Sequence, residues 1–258
     1  MPFDKSAADV LFLKGEYEKA AEMYLEGAKE GEEIASFNYG YCLLHGYGVE
    51  TDLNMAKSFF SYARDMEGGE SCYNLAVMYL DGWGVEKNYR TAMQYMSDAA
   101  DLGCVEAKLY LGMAYTLGTV IFPDITSISM IPYHKYEVRS EGQYLLDGEI
   151  YNTPEDEEER YSVIRADARI AFEYFRDAAL SDPTYVEDLV AHGKFLYARC
   201  FIDGVGTDFN REVGFRLMLN AGKSGSEDAV AFLAENGITE ERLNEWSRKD
   251  SKSTKYLK

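Results

Sequence analysis

Cysteine, histidine, proline and tryptophan are all scarce: 4, 3, 5 and 2 residues in a chain of 258. Cys42, Cys72, Cys104 and Cys200 show neither paired nor metal-ligand spacing, which argues against a disulfide framework and against a structural zinc site. Three of them fall in helical text, where a free thiol acts as a small hydrophobe. His45, His134 and His192 lie in separate segments, with no His-Glu-x2-His and no nucleophile elbow. No catalytic residue, metal or cofactor is expected. Positive charge is also short, with 26 Lys and Arg against 45 Asp and Glu and a formal charge of −19. Such a surface repels phosphate backbones and anionic lipid, so nucleic acid and membrane are not expected partners. The one basic cluster, Arg248, Lys249, Lys252, Lys255 and Lys258, reads as a solvated tail over 250–258. Neither a leader-like start nor a bilayer-length apolar run is found, and a cytoplasmic protein is expected.

What is abundant is repetition. Gly46-Tyr-Gly-Val-Glu-Thr-Asp52, Gly82-Trp-Gly-Val-Glu-Lys-Asn88 and Gly204-Val-Gly-Thr-Asp-Phe-Asn210 recur at the same place relative to helical text. The first two copies start 36 positions apart and Gly118 falls 36 further on, a period that signals stacked helical hairpins. Before each glycine runs a helix, such as 35–45, 71–81 or 107–117, in which the first, fifth, sixth and ninth positions form one arc. A small sixth residue, Gly40 or Gly112, lets a second helix approach. The glycine stops the helix through positive φ, Val49 and Val85 plug the turn, and Asp52, Asn88 and Asn210 stand where an N-cap belongs. Second helices carry small residues two turns apart: Ala56 and Ala63, Ala92 and Ala99, Ala171 and Ala178, Gly214 and Ala221.

The pattern Ala-x3-Leu-Gly-x2-Tyr-x2-Gly-x-Gly-Val-x2-Asp-x3-Ala resembles the Sel1-like repeat, a relative of the tetratricopeptide repeat. It is specific at 35–68 and 71–103 and degraded at 188–225, where Thr207 replaces valine; Tyr17 to Gly31 reads as the second helix of a shortened first hairpin. The resemblance implies an all-α fold, a right-handed α-α superhelical solenoid of about five hairpins with a capping helix. The expected division is one domain over 1–249, with repeats near 5–32, 33–69, 70–104, 105–181 and 184–226 and a cap at 227–249 closed by Trp246. It further implies a scaffold or adaptor for protein complexes.

One segment breaks the rule. After Gly118 the glycine-valine turn is missing and the next second helix is expected to begin near Ile164, leaving an insertion at 119–162. Thr119-Val-Ile-Phe favours extended structure, Pro123 and Pro132 resist helix, and Tyr144 to Tyr151 looks like a hairpin around Asp147-Gly148. The insertion carries ten acidic residues and three basic ones, concentrated in Glu155–Glu159. It is either a flap whose tyrosines, Tyr133, Tyr136, Tyr144 and Tyr151, touch a partner, or a small β excursion that those rings pack.

If the arc points into the stack, positions three, four, seven and ten of each first helix point toward the concave surface or its rim. They read Phe37, Asn38, Tyr41 and Leu44; Tyr73, Asn74, Val77 and Leu80; Leu109, Tyr110, Met113 and Thr116; and Phe195, Leu196, Arg199 and Ile202. Position three is expected to be mostly core, through contact between adjacent first helices. The candidate contacts are therefore Asn38, Tyr41, Asn74, Val77, Tyr110, Met113 and Arg199, with Tyr136 and Tyr144 from the insertion. A non-enzymatic, monomeric scaffold holding a protein or peptide segment, basic in character, is one expectation. A dedicated inhibitor or immunity protein that occludes one enzyme with its acidic insertion is the other.

Overall fold

The computed structural model describes residues 3–66, 68–116, 167–184 and 186–244, and the backbone of 117 and of short strands between 119 and 164. The chain divides into two compact units, Met1–Ala107 with Val120–Val163, and Lys108–Thr119 with Ile164–Lys258.

The first unit is built from α1 (Lys5–Leu13), α2 (Tyr17–Lys29), α3 (Glu33–His45), α4 (Leu53–Arg64), α5 (Gly69–Asp81) and α6 (Tyr89–Asp101), and contains the start of α7 (Val105–Leu117). Helices α1 with α2, α3 with α4 and α5 with α6 form hairpins, and α2 packs on α3 and α4 on α5. The second unit holds the rest of α7, α8 (Ala168–Ala179), α9 (Glu187–Asp203), α10 (Arg211–Lys223) and α11 (Glu227–Glu235), then a helical turn at 240–244.

The repeated phrase does two jobs. Gly46, Gly82 and Gly204 sit at φ 74°, 76° and 71° as left-handed C-caps, and the next amide bonds back five residues, as Tyr47 N–H does to the Cys42 carbonyl at 3.0 Å. The second glycine does what the sequence pattern does not announce. A Cβ on Gly48 would lie 2.3 Å from the Tyr17 backbone, on Gly84 2.6 Å from Leu53 Cβ, and on Gly206 1.9 Å from the Ala168 carbonyl oxygen. Tyr17, Leu53 and Ala168 are the first residues of α2, α4 and α8. Each turn is thus seated on the start of the preceding hairpin's second helix, a fit that only glycine allows.

Asp52, Asn88 and Asn210 cap α4, α6 and α10, accepting from the amides of Met55, Thr91 and Val213 at 2.8, 2.9 and 3.1 Å. Asp167 does the same for α8, accepting from Ile170 at 3.1 Å. This corrects the expected start near Ile164: that residue ends a strand, and the helix begins behind the Asp167 cap.

In the first core Phe60 is fully buried, its ring 3.0 Å from where Gly40 would carry a Cβ. Gly112 and Phe175 repeat the fit at 2.5 Å in the second unit. Burying such a ring contributes roughly 1.5–3 kcal/mol, and the small sixth residue makes room for it. All four cysteines are free and buried. The second core is closed by Ile238 and Leu243, which pack with Phe215 and Met218; Trp246, the expected plug, lies outside the described residues, as do the 250–258 tail and the acidic run 155–159.

Within the insertion, β1 (Thr119–Ile121), β2 (Ile131–Pro132) and β6 (Ser162–Ile164) form one sheet in the order β2-β1-β6. Strands β3 (Tyr136–Ser140), β4 (Gln143–Leu146) and β5 (Glu149–Asn152) form an antiparallel meander. Leu146 pairs with Glu149, leaving Asp147-Gly148 as the two-residue connection read from the sequence.

Candidate functional site

The first helices are buried on more sides than a single arc. Position eight, Cys42, Met78, Ala114 and Cys200, is buried throughout. Position ten corrects the sequence reading: Leu44, Leu80 and Ile202 are buried rather than facing a partner, since α3, α5 and α9 pack against helices of their own hairpin and the preceding one. Position three is largely core, as expected. Leu109 is buried, the Phe37 ring lies 5.9 Å from Phe60, and Phe195 lies 6.5 Å from Phe232.

Positions four and seven remain as the accessible candidates. In the first unit Asn38, Tyr41, Asn74 and Val77 are half-buried on α3 and α5. The Tyr41 ring stands 4.3 Å from His45, 6.0 Å from Tyr47 and 6.4 Å from Phe37, an aromatic group that offers contact area at low entropic cost. Burial pushes the Tyr41 hydroxyl up and the His45 imidazole down from their ordinary pKa values. The two amides differ. Asn74 Nδ2 donates to the Glu70 carbonyl of its own helix at 2.9 Å, so one of its donors is already spent.

In the second unit Tyr110 is half-buried and Met113 exposed on α7. Arg199 on α9 is engaged from two sides, donating to Asp203 Oδ2 at 2.7 Å and lying 5.1 Å over the Phe232 ring. A partner would have to compete for it. Tyr136 and Tyr144 fall in β3 and β4, but their side chains lie outside the described residues. The candidates are therefore spread along successive helices and do not converge on one reactive point.

Sequence reasoning passed over the acidic first turns. Glu33, Glu70 and Glu106 occupy the opening turns of α3, α5 and α7, beside Ser71 and Tyr73. Burial, then Glu70, hold the Glu33 carboxyl above its ordinary pKa; burial, then Glu106 and other acidic groups, push the Tyr73 hydroxyl up.

Three stretches, 34–67, 69–104 and 160–182, match the family model of the Sel1 repeat. The chain carries Sel1 repeats. The matched stretches include the two turns whose first glycines cap α3 and α5, while the 188–225 copy keeps the glycine caps without being matched. No curated protein matches the chain. Among solved structures it is similar to a Sel1 repeat protein from Oxalobacter formigenes, at 19% identity and a TM-score of 0.60 over 85% of this chain and 49% of that one. It is also similar to c5321, a protective antigen of uropathogenic Escherichia coli with an SLR fold, at 20% identity and 0.56 over 95% of this chain and 44% of that one. The chain spans about half the length of these structures. They establish the all-α solenoid class of the fold, which the hairpins of each unit display. A looser likeness to the immunity protein Pa5087 of Pseudomonas aeruginosa, at 16% identity and 0.47 over 90% of this chain and 71% of that one, bears on neither function nor partner.

Proposed function

We propose that this protein is a non-enzymatic cytoplasmic scaffold that holds a segment of a partner protein along the exposed faces of its first helices. The observation that carries the reading is the pair of half-buried faces Asn38–Tyr41 and Asn74–Val77, which occupy identical register positions on α3 and α5. A polar group next to an aromatic or aliphatic one, repeated from helix to helix, suits an extended chain, whose backbone needs hydrogen bonds and whose side chains need apolar contact. The Asn38 side chain, which makes no hydrogen bond among the described residues, is the amide available for this.

The test compares affinity purification with the wild-type protein and with a Tyr41→Ala, Val77→Asp variant. Proteins retained by the first and lost by the second, at unchanged melting temperature, support the reading; an identical retained set overturns it. A single stoichiometric enzyme among the lost proteins would mark an inhibitor instead.

A further inference from the structure

One second helix departs from the others on its outer side. Met55 and Tyr62 on α4, and Met66 in the turn that follows, fall within one narrow sector at about 3.6 residues per turn. They are exposed by 45%, 47% and 45%. Ala56, Phe60 and Ala63 are the residues of α4 that its hairpin buries, so the helix carries a second apolar row beside the core-facing one. Packing of the repeat does not call for it. At the register position of Tyr62 the other second helices carry Glu26, Asp98, Asp177 and Asn220, and none of them is apolar at all three positions. Single exposed apolar residues are ordinary on a protein surface, whereas an aligned group of them marks contact with another molecule.

The charges beside this row say what it fits. Both cations of α4 turn toward the next hairpin: Lys57 Nζ lies 5.5 Å over the Tyr79 ring, and Arg64 Nη1 donates to the Tyr95 hydroxyl at 3.0 Å. Tyr62 reaches the other way. Its hydroxyl lies 3.4 Å from the point where Gly31, just past α2, would carry a Cβ. On that side α2 exposes Glu18, Glu22 and Glu26, each four positions from the next, a spacing at which like charges repel. None of the three is in an ion pair among the described residues, and Lys19 is paired with Glu16, which leaves Lys29 as the one other cation of α2. An apolar row on α4 is thus flanked by uncompensated carboxylates on α2.

We propose that the outer side of α4, with the acidic side of α2, docks a basic amphipathic helix of a partner protein, its apolar ridge on Met55, Tyr62 and Met66 and its lysines or arginines over Glu22 and Glu26. The row extends along about 16 Å of helix axis, three turns of a facing helix, and an apolar stripe at helical spacing is what another helix's ridge packs against. Methionine side chains adapt to the shape of what they meet. A second copy of the chain is the poorer occupant, since its charge of −19 would bring like sign to the carboxylates of α2. This surface lies on second helices and is separate from the first-helix faces proposed above.

The probe is a fluorescein-labelled peptide of about five helical turns, with leucines at helical spacing and lysines along one flank, followed by anisotropy at physiological salt. Tyr62→Asp gives α4 the residue that α6 and α8 carry at that position, so the melting temperature should hold while binding weakens about tenfold or more. If the aspartate lowers the melting temperature, Met55→Thr with Met66→Ser, the residues of α6 and α8 at those positions, carries the same expectation. Glu22→Gln with Glu26→Gln should weaken binding about threefold or more. The charge-matched Glu235→Gln with Glu241→Gln, exposed in the second unit, should change it by less than about twofold. Wild-type binding by the stripe variants overturns the proposal, as does equal binding of a peptide with the same composition and scattered leucines, or of one with glutamates in place of lysines. Equal loss from both glutamate pairs reduces the effect to net charge and overturns it too. Binding lost with Tyr41→Ala, Val77→Asp but kept by Tyr62→Asp moves the peptide to the first helices. A dimer in sedimentation that Tyr62→Asp dissociates would give the surface to a second copy, and tighter peptide binding by Lys249→Gln with Lys252→Gln would give it to the chain's own tail; each of these results removes the partner helix.

Discussion

The backbone amide of Asp167 donates to the carbonyl of Tyr115 at 2.9 Å, across 52 positions of sequence. The same bond joins Asp52 to Leu43, Asn88 to Tyr79 and Asn210 to Phe201 at 3.0, 3.0 and 2.9 Å, across nine positions each. The insertion therefore leaves the closing bond of its hairpin in place, and Gly112 of α7 meets Phe175 of α8 as Gly40 of α3 meets Phe60 of α4.

Replacing residues 119–166 by Tyr-Gly-Val-Glu-Thr, which removes 43 residues net, should give a soluble protein with undiminished helical circular dichroism and a cooperative thermal transition. The insertion belongs to the compact unit that contains α6, so aggregation of the shortened protein would show that it covers apolar surface there.

The seated glycines are predicted to be far less replaceable than an open one at similar φ. Gly48→Ala combines φ 71° with a 2.3 Å approach to the Tyr17 backbone and should cost about 3 kcal/mol or more. Gly15→Ala, at φ 79° with nothing within 4 Å, should cost only about 1 kcal/mol. Urea midpoints of the two variants measure the difference, and equal midpoints would refute the seating.

Glu33→Gln should raise the melting temperature at neutral pH. The folded-state pKa of Glu33 lies above its unfolded value, chiefly through burial and then through Glu70, so the stability it contributes is complete below the unfolded pKa and lost as pH rises through the folded one. The advantage of glutamine should accordingly grow as pH rises from the acid side of the ordinary glutamate range to above it. A melting-temperature difference that does not change with pH would contradict this sign.

Native thiols should be inert. Burial pushes Cys42 and Cys72 up to about 11 and Cys200 to about 12, and raises Cys104 as well. Reaction with a disulfide reagent at neutral pH should await unfolding, with four thiols released together on adding denaturant. A fast-reacting thiol in the native protein would locate a site of local opening.

Much of this was legible in the residues themselves. Gly46, Gly82 and Gly204 announced where first helices end, Asp52 and Asn88 where second helices begin, and Asp147-Gly148 the hairpin inside the insertion. Asp167 was hidden because no glycine turn precedes it to fix the register. Leu44 and Leu80 were misread because a first helix flanked on two sides is apolar over more than one arc, and an arc drawn from four positions cannot show that. The packing of Glu33 and Ser71 against Gly68 was invisible for a different reason: it arises from stacking between hairpins, and no spacing within a hairpin encodes it.

The glycine seats also give each stack a polarity. Gly48 rests on the start of α2 and Gly84 on the start of α4, so a hairpin offers a turn to its predecessor and a helix start to its successor, two surfaces that cannot be exchanged. Gly15, in the shorter turn of the first hairpin, has nothing within 4 Å and makes no such contact. Two copies meeting through these surfaces would have to join head to tail, an open heterologous association with no twofold closure to halt it.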